Sequence, residues 1–252
     1  MIKYSKICHQ NELLKVIHLG KKIWEFSEAD SIPYHTLVTI LHSGGVVFGA
    51  FLDDKLIGYS ISTVALREEY ALYIYMIGVS NNYTSRGIAQ TLFKKNKDFA
   101  NKKNIKLIYW SFNPLDSSAS TLYLNKLNAI VNQPMVYNMY GLDVDSLPTD
   151  RFIAQLSLSH KKSNILYNKS MCKNTKIDNS LMNYSNFNQL KANINGFNKV
   201  AVEFPYSLNN LDMKEFIKIF RKLFTIYLKN YIVVDFISLK NKRKCYYILN
   251  GH

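Results

Sequence analysis

Apolar positions along this chain change period several times, and each change marks a predicted element. Ile2 to Cys8 reads as a short strand; Asn11 to Trp24 then places Leu13, Leu14, Ile17 and Trp24 at near-helical spacing, with the asparagine as N-cap. A second helix is expected from His35 to His42, stopped by the Gly44-Gly45 pair. Two apolar runs follow, VVFGAFL at Val46 to Leu52 and LIGYSISTVA at Leu56 to Ala65, and Asp53-Asp54-Lys55 between them predicts a hairpin. A third strand, Leu72 to Val79, leads into a turn and a helix start with Gly87 at the join. That helix keeps Ile88, Leu92, Phe93 and Phe99 inward and Lys94, Lys95 and Lys97 towards water. Ile105 to Phe112 returns as a strand, so the strand-helix-strand order predicts a right-handed crossover to a parallel neighbour, with ligands gathering near the strand ends.

Beyond this point the pattern loosens. Asn113-Pro114 ends the strand, Ser117 or Ser118 caps a helix running through Leu127, and Ile130 to Tyr140 is expected to be extended again. From His160 to about Asn198 the chain is rich in Lys, Asn and Ser with little period, which predicts an irregular connector. Asp212 to Asn230 carries the clearest amphipathic pattern, with Phe216, Phe220, Leu223, Phe224 and Tyr227 on one face, a stripe that reads as core. Tyr231 to Leu239 and Lys244 to Leu249 are expected to form a closing strand pair.

Composition narrows the reading. At 252 residues the chain holds one large domain, or a main domain with a smaller companion. The net charge of +14 would ordinarily point to a polyanion, but the basic residues are mostly lysine, with arginine only at Arg67, Arg86, Arg151, Arg221 and Arg243. Nucleic-acid readers favour Arg for its bidentate geometry, so a solvated surface is the expectation, with no nucleic-acid or membrane partner. The three cysteines, Cys8, Cys172 and Cys245, are scattered and lack metal-ligand spacing, which predicts a reducing compartment and no metal. With no transmembrane-length apolar run and no signal-peptide core, a soluble cytoplasmic protein is expected.

The candidate chemistry lies at Val79 to Lys95, VSNNYTSRGIAQTLFKK. A helix N-terminus leaves its first N–H groups unpaired and carries partial positive charge, so a pyrophosphate settles there if no side chain blocks it, and Gly87 and Ala89 keep the approach open. Close helix packing explains such a small-x-small pair about as often as a ligand does.

With this order of elements the chain resembles the GNAT superfamily of acyl-CoA-dependent N-acyltransferases, and more narrowly a poorly characterised group of predicted acetyltransferases. The superfamily's RxxGxG/A pyrophosphate loop falls on Thr84-Ser85-Arg86-Gly87-Ile88-Ala89. The closer likeness rests on Trp24 with Asp30 and Pro33, HSGGVVFGAF at His42 to Phe51, YWSFNPL at Tyr109 to Leu115, LNKLNA at Leu124 to Ala129, LPTDRF at Leu147 to Phe152 and VEFP at Val202 to Pro205. The resemblance implies an α/β fold: a GNAT-like central mixed sheet flanked by helices, with a C-terminal extension of one long helix and a strand pair. It divides the chain into an acyl-CoA-binding domain at 1–159, the connector at 160–198 and a helix-strand subdomain at 199–252 packed on the first.

The resemblance also implies roles. The loop residues Thr84, Ser85, Arg86, Gly87, Ile88 and Ala89 would hold the pyrophosphate of acetyl-CoA or acyl-CoA, although Thr84 stands where Gln or Arg is usual. Backbone N–H groups of Met76, Ile77 and Val79 would face the thioester and pantetheine where the fourth strand splays from the fifth, and Asn113 joins the cofactor contacts. The superfamily's thiolate-protonating Tyr is Leu124 here, so Tyr123 and Asn125 are the candidates for acid or thiolate positioning; Tyr123 points about 100° away on an ideal helix. In the closer group the strand before the loop often carries a His where this chain has Tyr75, and an Arg-Asn pair becomes Ser118-Ala119. Acyl transfer needs a neutral amine, a stabilised oxyanion and a protonated leaving thiol. Glu69, with Glu68, is a base candidate acting through water, or a solvated turn; Tyr75 is a second, or packing; His35 and His42 read as surface or capping residues. The implied function is transfer of an acyl group from acyl-CoA directly to a primary amine of a small molecule or peptide. The alternatives are fatty-acyl transfer to a Lys or ornithine side chain in natural-product maturation, and a catalytically idle acyl-CoA-binding fold.

Overall fold

Hydrophobic period and element agree closely over the first hundred residues. A computed structural model describes residues 1–141, 143–144, 147–158, 175–178, 199–208, 211–239 and 243–251. The elements begin β1 (Lys3–Lys6), α1 (Gln10–Trp24), α2 (Tyr34–His42), β2 (Val46–Leu52), β3 (Lys55–Leu66) and β4 (Tyr70–Val79). A single 3₁₀ turn at Asn81–Tyr83 leads to α3 (Ile88–Lys102) and β5 (Leu107–Phe112). There follow α4 (Ser117–Ser120), a π-helical turn (Thr121–Lys126), β6 (Asp143–Val144), β7 (Leu147–Pro148) and β8 (Phe152–Ser157). The rest comprises β9 (Thr175–Asp178), β10 (Lys199–Phe204), α5 (Met213–Tyr227), β11 (Tyr231–Leu239) and β12 (Lys244–Gly251).

The main sheet is six-stranded and mixed, in the order β1-β2-β3-β4-β5-β8, with β4 and β5 parallel as the crossover predicted. Contacts divide the chain into two compact units, Met1–Trp110 with Ser157–His160 and Ser111–Leu156 with Lys161–His252. The units are interleaved in sequence, so the chain crosses from one to the other within β5 and again within β8. No helix among the described residues is long and apolar enough to cross a membrane.

In the first unit β3 is buried along most of its length because both faces are covered. Leu56, Tyr59 and Ile61 join Leu13, Val16 and Leu37 of the first two helices, while Ile57 packs with Ile88 and Leu92 of α3. A register shift between Ala50 and Phe51 leaves Ile57 as the extra residue and reverses the alternation there. Beneath α3, the buried Asn96 donates to the Ser60 hydroxyl at 2.8 Å and accepts from the Ser62 hydroxyl at 2.7 Å, so sheet and helix share a fully paired polar contact.

The second unit is built on the aromatic stripe of α5. Phe216, Phe220 and Phe224 pack with Phe204, Phe152 and Tyr247, mostly edge to face. The expected closing pair forms as β11 against β12, and β12 also pairs with β10, in a sheet ordered β11-β12-β10-β9. The connector expected at 160–198 lies outside the described residues apart from β9, which runs parallel to β10. Ile130 to Tyr140 does not form the expected strand. It makes isolated bridges, Ile130 with Gln155, Val131 with Val233 and Val136 with Arg151, because Pro134 removes a ladder donor and Asn138 turns left-handed at φ 44°. The helix expected through Leu127 is also altered: one α turn gives way to a π turn in which the Leu127 N–H donates to the Leu122 carbonyl.

Candidate active site

The site is built first from the C-terminal end of β4. β3 pairs with it up to Gly58 opposite Val79, whereas the β5 ladder covers only Ala71, Leu72 and Tyr73, opposite Leu107, Ile108 and Tyr109. Beyond Tyr73 the stretch of β4 that holds Met76, Ile77 and Val79 therefore has no β5 ladder partner among the described residues. A register shift between Ile61 and Ser62 makes Tyr75 the extra residue of a β-bulge. Tyr75 is 46% exposed, as expected of a side chain re-aimed by a bulge rather than packed in the pleat. Next to it Met76 accepts a hydrogen bond from the buried Tyr59 hydroxyl at 3.0 Å, and burial, with Tyr75 adding, pushes the Tyr59 phenol far above its usual range.

From Val79 the chain makes the 3₁₀ turn, and the Thr84 hydroxyl donates to the Asn81 carbonyl at 3.1 Å. Ser85 and Gly87 are both left-handed, at φ 62° and 77°, with Arg86 between them and its guanidinium 5.3 Å from the centre of the Tyr83 ring. Gly87 is the N-cap of α3, and no side chain among the described residues caps that helix start. The first helical bond runs from the Thr91 N–H to the Gly87 carbonyl, leaving the N–H groups of Ile88 and Ala89 in the unpaired first turn. A Cβ built on Gly87 meets only Gln90 Oε1, at 4.0 Å, so packing does not require a glycine here. Gly58 is the contrasting case: its Cβ would stand 3.0 Å from Ile88 Cγ2, which makes it the packing glycine beneath the same helix. Of the two readings of the small-x-small start, close packing is thus removed for Gly87, and an open, dipole-bearing anion seat remains.

Glu69 lies on the turn before β4, exposed, with its carbonyl accepting from the Arg67 N–H. Six residues of strand at about 3.3 Å each put it roughly 20 Å from Tyr75, too far for a carboxylate acting through one water at the bulge. The candidates from the later segment belong to the second unit. Asn113 is exposed and its Oδ1 accepts from the Leu115 N–H, closing the turn that ends β5. Tyr123 packs its ring 5.4 Å from that of Phe112, and desolvation, with the Asp116 carboxylate adding, holds its phenol protonated well above the usual range. The π turn winds more widely than an α turn, so the ideal-helix angle of about 100° between Tyr123 and Leu124 does not apply. Asn125 donates through Nδ2 to Asp235 Oδ1 at 2.8 Å. Asp235 is a lone carboxylate inside the apolar run Tyr231-Ile232-Val233-Val234-Asp235-Phe236, a signal that sets it apart from the candidates above. Among the described residues no group of three or more His, Cys, Asp or Glu is placed to hold a metal.

Residues 13–126 match the family model described as acetyltransferase (GNAT) family. Comparison with curated proteins gives no match. Among solved structures, the chain is similar to the ribosomal-protein-S18-alanine N-acetyltransferase from Escherichia coli, with TM-score 0.54 and 18% identity over 66% of this chain and 100% of that one. It is also similar to NAA60 from Arabidopsis thaliana, solved with a bisubstrate analogue, with TM-score 0.52 and 16% identity over 62% and 98% of the two chains. Naa50 from Arabidopsis thaliana, in complex with the bisubstrate analogue CoA-Ac-MVNAL, gives TM-score 0.51 and 18% identity over 62% and 98%. At these identities the likeness is one of fold. Over residues 13–126, which hold the glycine-started helix and the end of β4 beyond its ladder with β5, this chain is similar to the acetyltransferase (GNAT) family.

Proposed function

We propose that the protein is an acyl-CoA-dependent N-acyltransferase moving an acyl group directly from acyl-CoA to a primary amine. The observation that carries this reading is the uncapped start of α3 at Gly87, where a positive φ and an open Cβ position leave the first-turn N–H groups free to meet a pyrophosphate. Thr84, Ser85 and Arg86 complete the seat, with Arg86 taking the part left by the short Thr84 side chain. Backbone N–H groups of Met76, Ile77 and Val79 stabilise the developing oxyanion and hold the pantetheine. Tyr75 is the group on β4 that meets the amine. The neutral amine attacks the thioester carbon, the C–S bond breaks, and the proton lost by nitrogen ends on sulfur. Small-molecule and peptide amines both satisfy this chemistry; the E. coli enzyme named above is a ribosomal-protein-S18-alanine N-acetyltransferase, and the Naa50 complex holds CoA-Ac-MVNAL.

Titration calorimetry with acetyl-CoA and longer acyl-CoAs, followed by thiol release with an amine panel, tests the reading. Gly87→Val is expected to weaken acyl-CoA binding at least about tenfold, because a branched side chain both occupies the seat and resists the left-handed backbone. Absence of binding to any CoA species by the unaltered protein would refute the reading, and turnover of any amine would exclude the idle fold.

A further inference from the structure

α1 ends on Trp24, and Glu25 turns the chain left-handed at φ 53° directly after it. The indole lies over the end of β4: a Cβ built on Gly78 would stand 2.7 Å from Trp24 Cη2 and 2.9 Å from Ile23 Cδ1. Real Cβ atoms do not come so close, so the ring fills the space that Gly78 leaves. It is held from two further sides, edge-on to Tyr59 at 6.1 Å between centroids and stacked on Phe26 at 5.5 Å. Tyr59 is itself 1% exposed and donates to Met76 Sδ, and a Cβ on Gly20 would meet its hydroxyl at 2.6 Å. This face at the end of β4 is therefore packed so closely that a single methyl group does not fit at Gly78 or Gly20. Trp24 is 37% exposed, which makes its ring the outermost layer over that face.

We propose that Trp24 sets the upper length of the transferred acyl group, admitting acetyl and stopping longer straight chains. The inference rests on the reading of Met76, Ile77 and Val79 as the thioester contacts. Ile77 and Val79 pack in the cluster that holds Ile88 and Leu92 of α3, whereas Met76 packs in the cluster that holds Leu13 and Val16 of α1. The two helices thus cover opposite faces of β4. A CoA whose pyrophosphate sits at Gly87, on the α3 side, passes β4 where that strand has no β5 ladder partner among the described residues, and its acyl end reaches the α1 side. There a chain longer than acetyl runs into the indole over Gly78. A small side chain in place of the indole opens apolar space, and each methylene that enters it gains about fourfold in affinity, the transfer value of a CH₂ group.

The test titrates free CoA and acetyl-, butyryl-, hexanoyl- and octanoyl-CoA into the unaltered protein, Trp24→Ala and the milder Trp24→Leu, which keeps more of the packing. The unaltered protein is expected to bind acetyl-CoA at least about tenfold more tightly than octanoyl-CoA, because the longer chain overpacks a filled face. Trp24→Ala should reverse that order and Trp24→Leu should flatten it, while free CoA binds all of them within about twofold. Octanoyl-CoA held by the unaltered protein as tightly as acetyl-CoA, or a chain-length profile that both variants leave unchanged, would overturn the proposal. Melting temperatures check the packing without a ligand. Gly78→Ala should destabilise the unaltered protein and do so less in the Trp24→Ala background, where its methyl has room; equal losses in both would also overturn the proposal. No binding of any CoA species by the unaltered protein defeats the donor reading and this inference with it, whereas a flat chain-length profile defeats the role of Trp24 alone.

Discussion

Tyr75 and Gly87 mark how far single residues were legible. Gly87 was singled out by its place between a strand and a helix, and its φ of 77° is why a glycine suits it. Tyr75 was known only by its position on a strand; that it is the extra residue of a bulge depends on the register of β4 against β3, which the order of one strand's residues does not encode. Because Tyr75 is about half exposed, Tyr75→Phe should leave the melting temperature almost unchanged while lowering kcat at least about fivefold, with little effect on KM for acyl-CoA. Stopped-flow thiol release checks this, and an unaltered kcat would remove the phenol from the chemistry. Asp235 pairs with Asn125 across 110 positions, beyond any local pattern.

At the scale of elements, the first five strands and first three helices followed from period and turn residues, because all of them but β1 bury a stripe or face. The exceptions had local causes that hydrophobicity does not report: Pro134 and left-handed Asn138 broke the strand expected to Tyr140, and a π turn replaced the expected helical one before Leu127. The segment from Val136 to Arg151 is instead held by polar contacts. Asp150 accepts from Nε and Nη2 of Arg221 on α5 at 2.7 Å each and from the Asn138 N–H at 2.9 Å, while Arg221 lies over the Tyr137 ring. The Asp150 side chain is only 8% exposed, so Arg221→Ala leaves a carboxylate buried without its cation. That variant should lose about 3 kcal/mol in urea unfolding, and Arg221→Lys roughly half as much, since lysine keeps the charge but not the fork. Equal losses for the two would show that the bidentate geometry is unimportant.

For the whole molecule, buried phenols set the alkaline limit. Burial raises Tyr59, Tyr123 and Tyr247 above the ordinary value of 10.0, so the folded state holds these protons after the unfolded chain has begun to release them. Their contribution to stability is therefore complete below pH 10 and falls as pH rises from there towards the folded values. Melting temperatures taken from pH 8 to 11 should decline above about 10, and absorbance at 295 nm should show these three phenols ionising only with unfolding. A flat melting profile through that range would contradict the burial.

Tyr247 also bears on how the chain is made. Its hydroxyl meets the Pro114 carbonyl and the Ser120 hydroxyl, and Ser120 precedes it by 127 positions. On a ribosome, strands β1 to β4 and the glycine-started helix emerge early, whereas the turn after β5 waits for β12 before its buried oxygens find a partner. A stalled nascent chain ending near residue 200 should therefore shield the amino-terminal segment from protease while leaving residues 113–126 open to cleavage.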